Sequence, residues 1–374
     1  MWQIRAIDPE PTWSGRPAHL PELTPGHLRC ASLSSQGCLV VSFGEAMRRR
    51  EFITLIGGVI VARPLSARAS EEAAPVIGVL SSLSREENAL NGAEEFFRAL
   101  AQAGYVDGEN VAFEYRFANG RYDQLPTLAG QLVEHRVAII ATFGGEPAAL
   151  AAKAATSTTP IVFGIGGDPV KAGLVASISR PGGNATGISL LTPGMEPKRL
   201  ELLHEIVPKS ERLAAVVNPN NPLAETQTDE LQAAAKALGI ELVISRATSP
   251  QQIEAVFATL AQQQMDGLVI TFDPLFVNQR DQLVALAARL ALPTICGYRG
   301  FAKAGGLMTY GSSPADATGM MGRYTARILS GAKPGDLPVW QAVKVELLLN
   351  LKTAKALGVT IPLTILGRAD EVIE

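Results

Sequence analysis

The chain has 374 residues, enough for two domains of ordinary size. Hydrophobic residues make up 47% and charged residues 18%, which excludes a disordered chain and supplies apolar material for a core. The formal net charge of −3 removes any bulk electrostatic case for nucleic-acid binding.

The first informative stretch is Met47-Arg48-Arg49-Arg50-Glu51-Phe52-Ile53. Three arginines precede a short apolar run, Ile53 to Ala62, and Ala67-Arg68-Ala69 follows. A charged segment, an apolar segment and a small-residue cleavage site stand in the order of an export signal. The apolar run is too short to span a bilayer, which needs about 20 residues. The twin arginine makes the signal Tat-like, an address read by a receptor. Residues 1–46 are rich in Pro, Ser and Gly and show no sustained period, so Met47 is expected to be the true start and 1–46 a misassigned upstream extension. Residues 47–69 are then the signal peptide. Removing residues 1–69 takes away eight arginines and five acids, leaving 305 residues with 25 basic and 31 acidic side chains, net −6. No cysteine follows the signal directly, so the mature protein is expected to be soluble and periplasmic rather than lipid-anchored.

Strands and helices then alternate. Val76 to Leu80 reads as the first buried strand, followed by Val111 to Phe117, Val137 to Thr142 and Pro160 to Phe163. Between them Ala93, Phe96, Phe97 and Leu100 keep helical spacing and Gly104 ends that helix. Leu125, Leu128, Leu132 and Val133 mark a second helix, and Glu146 to Thr156 a third. The strands are continuous apolar runs, which indicates parallel sheets covered on both faces.

The same grammar restarts with strands at Leu213 to Val217, Glu241 to Ser245, Leu268 to Thr271, Pro293 to Cys296 and Leu307 to Tyr310. Ser249-Pro250 and Ser313-Pro314 each supply a cap and a proline at a helix start. Asn278 is expected to cap the helix carrying Leu283, Leu286, Ala287 and Leu290. The fold class is therefore α/β, with two lobes changing over near Gly187–Met195.

In parallel sheets the ligand site lies beyond the carboxyl ends of the strands, and two such lobes should share a cleft. The loops on that edge hold Ser81 and Ser82, then Thr142-Phe143-Gly144-Gly145-Glu146, then Gly164 to Pro169 with Asp168. The second lobe adds Asn218 to Pro222, Phe272-Asp273-Pro274, Gly297-Tyr298-Arg299 and Tyr310-Gly311-Ser312. Phe143, Phe272, Tyr298 and Tyr310 suit the stacking of a flat ligand. Glu146, Asp168 or Asp273 suits an amine, and backbone N–H groups at helix starts suit a carboxylate. Any of these residues, taken singly, also has an ordinary use as a turn former or helix cap.

Catalytic motifs are missing. There is no G-x-S-x-G elbow and no P-loop lysine. Gly164-Ile165-Gly166-Gly167-Asp168-Pro169 lacks the last glycine of a dinucleotide fingerprint. Cys296 and His204 read as structural, and the four histidines show no short ligand spacing. The expectation is a binding protein, not an enzyme, with no cofactor and no metal.

Several stretches carry a resemblance. They are Leu100 to Val111, Ile161-Val162-Phe163 with Gly167-Asp168-Pro169-Val170, Arg180-Pro181-Gly182-Gly183-Asn184, Asn218-Pro219-Asn220-Asn221-Pro222, Gly305 to Gly311 and Asn350 to Gly358. Together they resemble the ABC transporter substrate-binding proteins of the tryptophan/tyrosine-type family, along the whole chain from Pro75 onward. The resemblance implies a type I periplasmic binding fold, with two parallel-sheet lobes joined by three hinge crossings. The first lobe would be 75–190 plus 311–342, and the second 191–310 plus 343–374. It also implies that Ser81, Ser82, Phe143, Gly144, Gly145, Asp168, Asn218, Asp273 and Tyr298 stand in the site loops; Glu146 and Tyr310 join them from the strand-end reading. The best-known relatives bind aromatic amino acids, but the signature does not fix the ligand. The expected partners are a small-molecule solute, ABC permease subunits and, for the precursor, the Tat machinery, with no nucleic acid and the chain acting as a monomer. A periplasmic sensor or co-receptor on the same fold is the alternative.

Overall fold

The computed structural model describes residues 74–190, 194–342 and 344–374. The export-signal reading of residues 47–69 and the reading of 1–46 lie outside them.

The chain opens with β1 (Val76–Ser81), whose last five residues are all buried, then a short helix α1 (Arg85–Asn88). A wide turn at Ala89–Ala93, with Gly92 at φ 88°, separates α1 from α2 (Glu94–Gln102). The spacing of Phe96, Ala99 and Leu100 gives α2 one apolar face, and that face is buried. Next come β2 (Ala112–Phe117), α3 (Leu125–Glu134), β3 (Ile139–Phe143), α4 (Glu146–Ala155), β4 (Ile161–Ile165) and β5 (Ala185–Ser189). The chain then builds α5 (Met195–Ile206), β6 (Arg212–Val217), α6 (Ala224–Leu238), β7 (Glu241–Arg246), α7 (Pro250–Gln263) and β8 (Gly267–Ile270). It continues through α8 (Pro274–Asn278), α9 (Arg280–Arg289), β9 (Thr294–Cys296), α10 (Arg299–Lys303), β10 (Met308–Ser312) and α11 (Pro314–Leu329). It ends with β11 (Trp340–Gln341), β12 (Val345–Asn350), α12 (Leu351–Ala356), α13 (Leu363–Leu366) and β13 (Glu371–Ile373).

These strands make two sheets, ordered β11-β5-β4-β3-β1-β2 and β13-β12-β10-β9-β8-β6-β7. Each sheet has an apolar cluster on each face. Leu80, Ile140 and Phe163 lie on one side of the first sheet, and Ile77, Val79 and Val162 on the other. Val216, Leu268 and Ile270 oppose Ala215, Val269 and Ile295 in the second. This two-sided burial explains why the strands read as continuous apolar runs. The chain passes from the first sheet to the second after β5, back after β10, and over again between β11 and β12. The result is two α/β lobes of the type I periplasmic binding fold.

Three expectations need correction. Ser313 stands at the N-cap position of α11 but makes no side-chain cap bond. The second sheet is not wholly parallel, because β10 and β12 pair antiparallel, with Tyr310 opposite Leu347. The reason is topological: β10 carries the chain toward the hinge and β12 carries it away. Asn278 does not cap a helix. It is the last residue of α8, while α9 starts from Gln279 without a side-chain cap. Its amide has another use, at the cleft.

Candidate functional site: the interlobe cleft

The carboxyl ends of β1, β3 and β4 in one lobe face those of β8, β9 and β10 in the other, and a cavity of about 90 Å³ lies between them. Its walls are mainly apolar, with Phe143 from the first lobe and Phe272 and Tyr298 from the second. The Phe143 ring is held edge-on by Phe96, with centroids 5.3 Å apart. The Tyr298 hydroxyl donates to the Phe276 carbonyl at 3.0 Å, which fixes its ring. Asn88, Asn91, Thr142, Ser312 and Thr318 contribute neutral polar groups.

The loop after β3 comes close to the end of β1. Gly144 has φ +79°, and a Cβ there would stand 2.9 Å from the Ser82 Cβ, so a larger residue would be both strained and crowded. The hydroxyls of Ser82 and Thr142, both on fully buried residues, have no hydrogen-bond partner. Thr142 lines the cavity. Helix α4 begins beside it from Gly145, which offers no side-chain cap.

The single charged lining residue among the described ones is Arg299. Its guanidinium pairs with Glu346 and Glu371, and Lys344 reaches Glu346 at 2.9 Å. The four charges cancel. Behind the second-lobe loops, buried Arg199 pairs with Glu196 and donates from Nε to the Tyr310 carbonyl at 2.8 Å. Gly297 makes room for this: a Cβ there would lie 2.4 Å from the guanidinium.

Around the cavity the lobes touch directly. The Tyr122 hydroxyl donates to Asp273 Oδ2 at 2.6 Å. The Ser84 N–H donates to Asn278 Oδ1 at 2.7 Å, and Asn278 Nδ2 donates to the Ser82 carbonyl at 3.3 Å. Arg280 meets Glu87 at 2.8 Å. Burial raises the Glu87 carboxyl above its ordinary 4.5, with Arg280 pulling it back. Leu83 of the first lobe packs into the core cluster of the second. The lobes are closed on one another.

The expected site residues separate into two groups. Phe143, Gly144, Gly145 and Tyr298 line the cavity. The others stand around it. Ser81 donates to Asn88 Oδ1 at 3.2 Å, and Ser82 lies in the contact between the lobes. Glu146 is buried and its Oε1 accepts the Gly167 N–H at 2.5 Å; burial raises its pKa. Asp168 accepts from the N–H groups of Val170 and Lys171, which closes a turn. Asn218 donates to Asp273 Oδ1 at 2.9 Å. Asp273 also accepts from Asn221 Nδ2 at 2.7 Å and from the Leu275 N–H at 2.8 Å, so each carboxylate oxygen accepts two bonds, and burial raises its pKa. Tyr310 packs against the second-lobe core. Cys296 and His204 do not meet: the thiol is buried beside the Tyr298 carbonyl, and the ring bonds Ser210.

Among the residues not anticipated are Asn88, at the end of α1, Asn91, from the turn that follows it, and Thr318 and Met321, from α11. Their local patterns read as helix packing. A doubled asparagine just ahead of the helix-breaking Gly92 is the available signal.

Comparison with known proteins agrees with this geometry. Residues 77–373 match the family model described as ABC transporter substrate binding protein, and the chain belongs to that family. It is a solute-binding component of an ABC transport system. It is 28% identical over 262 residues to a tyrosine-binding protein of Clostridioides difficile, covering 70% of this chain and 75% of that one. The structure of a Streptococcus pneumonia ABC domain in complex with L-Trp superposes with a TM-score of 0.73 at 26% identity, covering 80% of this chain and 99% of that one. A Clostridium difficile substrate-binding protein with adhesive properties, described as ligand-free and open, gives 0.57 at 25% identity over the same shares. The lower score against an open structure fits the closed lobes seen here.

Proposed function

We propose that this chain works outside the cytoplasmic membrane as a monomer, closing on a small flat solute and handing it to the permease subunits of an ABC importer. The observation that carries the reading is the aromatic cavity shared by both lobes, with Phe143 on one side and Phe272 and Tyr298 on the other. The relatives named for tyrosine and for L-Trp support a solute with an aromatic body. Capture without turnover fits the residues behind the walls: Cys296, the free thiol among the described residues, is buried, and burial pushes its pKa up. Export by the Tat route is part of the proposal, resting on Arg49 and Arg50 ahead of the apolar run.

Native mass spectrometry of the purified protein, with a thermal-shift screen over aromatic acids, amino acids and nucleosides, tests the capture reading. Occupancy at a hundred times the Kd should add about 2.7 kcal/mol of stability. A protein that carries no solute and gains no stability from any compound of the screen would remove the reading. Export is tested separately: replacing Arg49 and Arg50 by lysine should hold the precursor in the cytoplasm. Normal accumulation outside it would point to the general secretory route.

A further inference from the structure

Strand β2 is the outer strand of the first sheet, and one of its edges is free. Its parallel bonds to β1 run through alternate residues. The Ala112 N–H donates to the Pro75 carbonyl at 3.1 Å and the Ala118 N–H to the Ser81 carbonyl at 2.8 Å. Phe113, Tyr115 and Phe117, at the odd positions between them, therefore turn their N–H and C=O groups away from the sheet. Among the described residues no main-chain group takes these up. The Tyr115 carbonyl accepts from Arg116 Nη1 at 2.9 Å and the Phe117 carbonyl from Asn119 Nδ2 at 3.5 Å, both side chains of the edge itself. A sheet edge is commonly guarded against pairing by a proline, a bulge or a lysine. This one carries aromatic rings. Phe113, Tyr115 and Phe117 are partly buried and form a ladder, with centroids 6.1 and 5.9 Å apart. Arg85 steadies it from over the Tyr115 and Phe117 rings.

The edge reads alike in both directions. Ala112-Phe113-Glu114-Tyr115-Arg116-Phe117-Ala118 is symmetric in size about Tyr115 and complementary in charge. Laid antiparallel on a second copy about Tyr115, it sets Ala112 opposite Ala118, Phe113 opposite Phe117 and Glu114 opposite Arg116. The main chain calls for the same register, because each outward residue then meets an outward residue and exchanges N–H and C=O bonds with it. Within one copy Glu114 already meets Arg116 and His135. Pairing places two such Glu–Arg couples side by side with alternating sign. Opposite charges across strands stabilise a pair, and like charges directly opposite destabilise it. The outer strand of the second sheet, β7, lacks this match. Its Glu241 N–H bonds the Glu211 carbonyl and the Ala247 N–H the Val217 carbonyl, so Leu242, Ile244 and Arg246 face outward. Pairing about Ile244 would set Leu242 against Arg246 and Val243 against Ser245.

We propose that β2 is a self-pairing edge, through which two copies of this chain join about a two-fold axis at Tyr115 and continue the first sheet from one copy into the other. No residue of β2 lines the cleft cavity, so the pairing goes beyond the capture reading and leaves each cleft to its own copy. One strand edge is a small interface of the weak, transient class. The chain therefore captures and delivers solute as the monomer and pairs where copies are crowded. Sedimentation equilibrium of the purified protein, without solute, tests this. The weight-average mass should climb from one chain toward two between about 1 µM and about 1 mM. Glu114→Arg sets like charges opposite one another, and Arg116→Glu does so with the other sign, so each variant alone should stay single over that range. Mixed in equal amounts the two should pair, because each supplies the charge that the other lacks. A melt close to the parent's shows that each variant is folded. Where one is not, Tyr115→Pro takes its place: the Tyr115 N–H points away from β1, so proline removes a donor from the edge and no bond from the sheet. That variant should stay single. Parent protein that remains one chain at every concentration overturns the proposal. So does a single charge variant that pairs as tightly as the parent, an equal mixture of folded variants that stays single, or a Tyr115→Pro protein that pairs as the parent does.

Discussion

The rim and the interior of the cleft differ in where their polar groups find partners. The rim bonds from lobe to lobe, although Ser82 Oγ and Glu87 Oε2 have no partner, whereas Ser312 and Thr318 in the interior donate to the Leu190 and Gly92 carbonyls. At the rim, Ser84, Glu87 and Tyr122 of one lobe meet Asn278, Arg280 and Asp273 of the other, and these groups find partners across the gap. In the interior, Thr142 lies deep in the protein with its hydroxyl unpartnered. Paired polar groups hold a conformation; an unpaired buried one costs about 1–3 kcal/mol until something fills it. The contrast ties the contacts between the lobes to the rim and makes the interior the place to test for solute recognition.

The sharpest way to break that division is at Asp273. Removing its carboxylate leaves four donors without their acceptor, three of them on side chains. Asp273→Ala should lower unliganded stability by about 3 kcal/mol, measured by denaturant melt, since each orphaned buried donor costs about 1–3 kcal/mol and partial rearrangement recovers some of it. Asp273→Asn should lose less, because one oxygen is kept. An Asp273→Asn protein that melts normally yet loses affinity would make Asp273 a ligand group and move it from rim to interior.

Tyr122→Phe tests closure with a smaller change. The hydroxyl bridges the lobes to a buried carboxylate, a bond worth about 1.5–3 kcal/mol where one partner is charged. Part of that energy favours the closed form, so solute affinity should fall by about tenfold, equivalent to 1.4 kcal/mol. Small-angle scattering of the unliganded variant should show a larger radius of gyration. Unchanged affinity and radius would mean that this contact is incidental to closure.

The interior and the rim also differ in how far the sequence discloses them. Strand ends are legible because two-sided burial writes itself as apolar runs, so Phe143, Gly144, Gly145 and Tyr298 can be placed at the cleft. What separates Tyr298 from Asp273 is not local. Both follow a buried strand, but Asp273 is drawn to Asn218 and Asn221 from another strand end and to Tyr122 from the other lobe. Asn278 has the sequence of a helix cap and acts as a bridge between lobes. The strand Ala185–Ser189 stays hidden in the sequence because Thr186 and Gly187 break the apolar run. That glycine is needed where the strand passes Phe163, since a Cβ would lie 2.0 Å from its carbonyl oxygen. Thr318 and Met321 reach the cavity only because α11 returns to the first lobe after the chain has built the second.

Glu146 stands between the two regions, and pH examines it. Burial raises its carboxyl above the ordinary 4.5. The native state then holds the proton more tightly than the unfolded chain, so this group's contribution is full below 4.5 and is lost as pH rises through the folded value. Glu146→Gln keeps an oxygen for the Gly167 N–H and removes the titration. Between pH 4.5 and 7 the parent should therefore lose more stability than the variant, by about 1.4 kcal/mol for each tenfold by which folding tightens the proton. Parallel pH profiles would mean that the carboxyl titrates normally.

The smallest expected effect is the most specific to the interior. Thr142→Val replaces a buried, unpartnered hydroxyl by a methyl of similar size. At the rim such a loss would leave a partner stranded. Here there is none, so the desolvation cost of the hydroxyl disappears and nothing is orphaned. Unliganded stability should stay level or rise by up to about 1 kcal/mol in a denaturant melt. The opposite sign from Asp273→Ala is the point of the comparison, because both positions are fully buried and both carry oxygen. A Thr142→Val protein destabilised by more than about 1 kcal/mol would show that this hydroxyl is spent on the fold. It would then belong with the rim, and the strand end of β3 would present only backbone and the Phe143 ring to a solute.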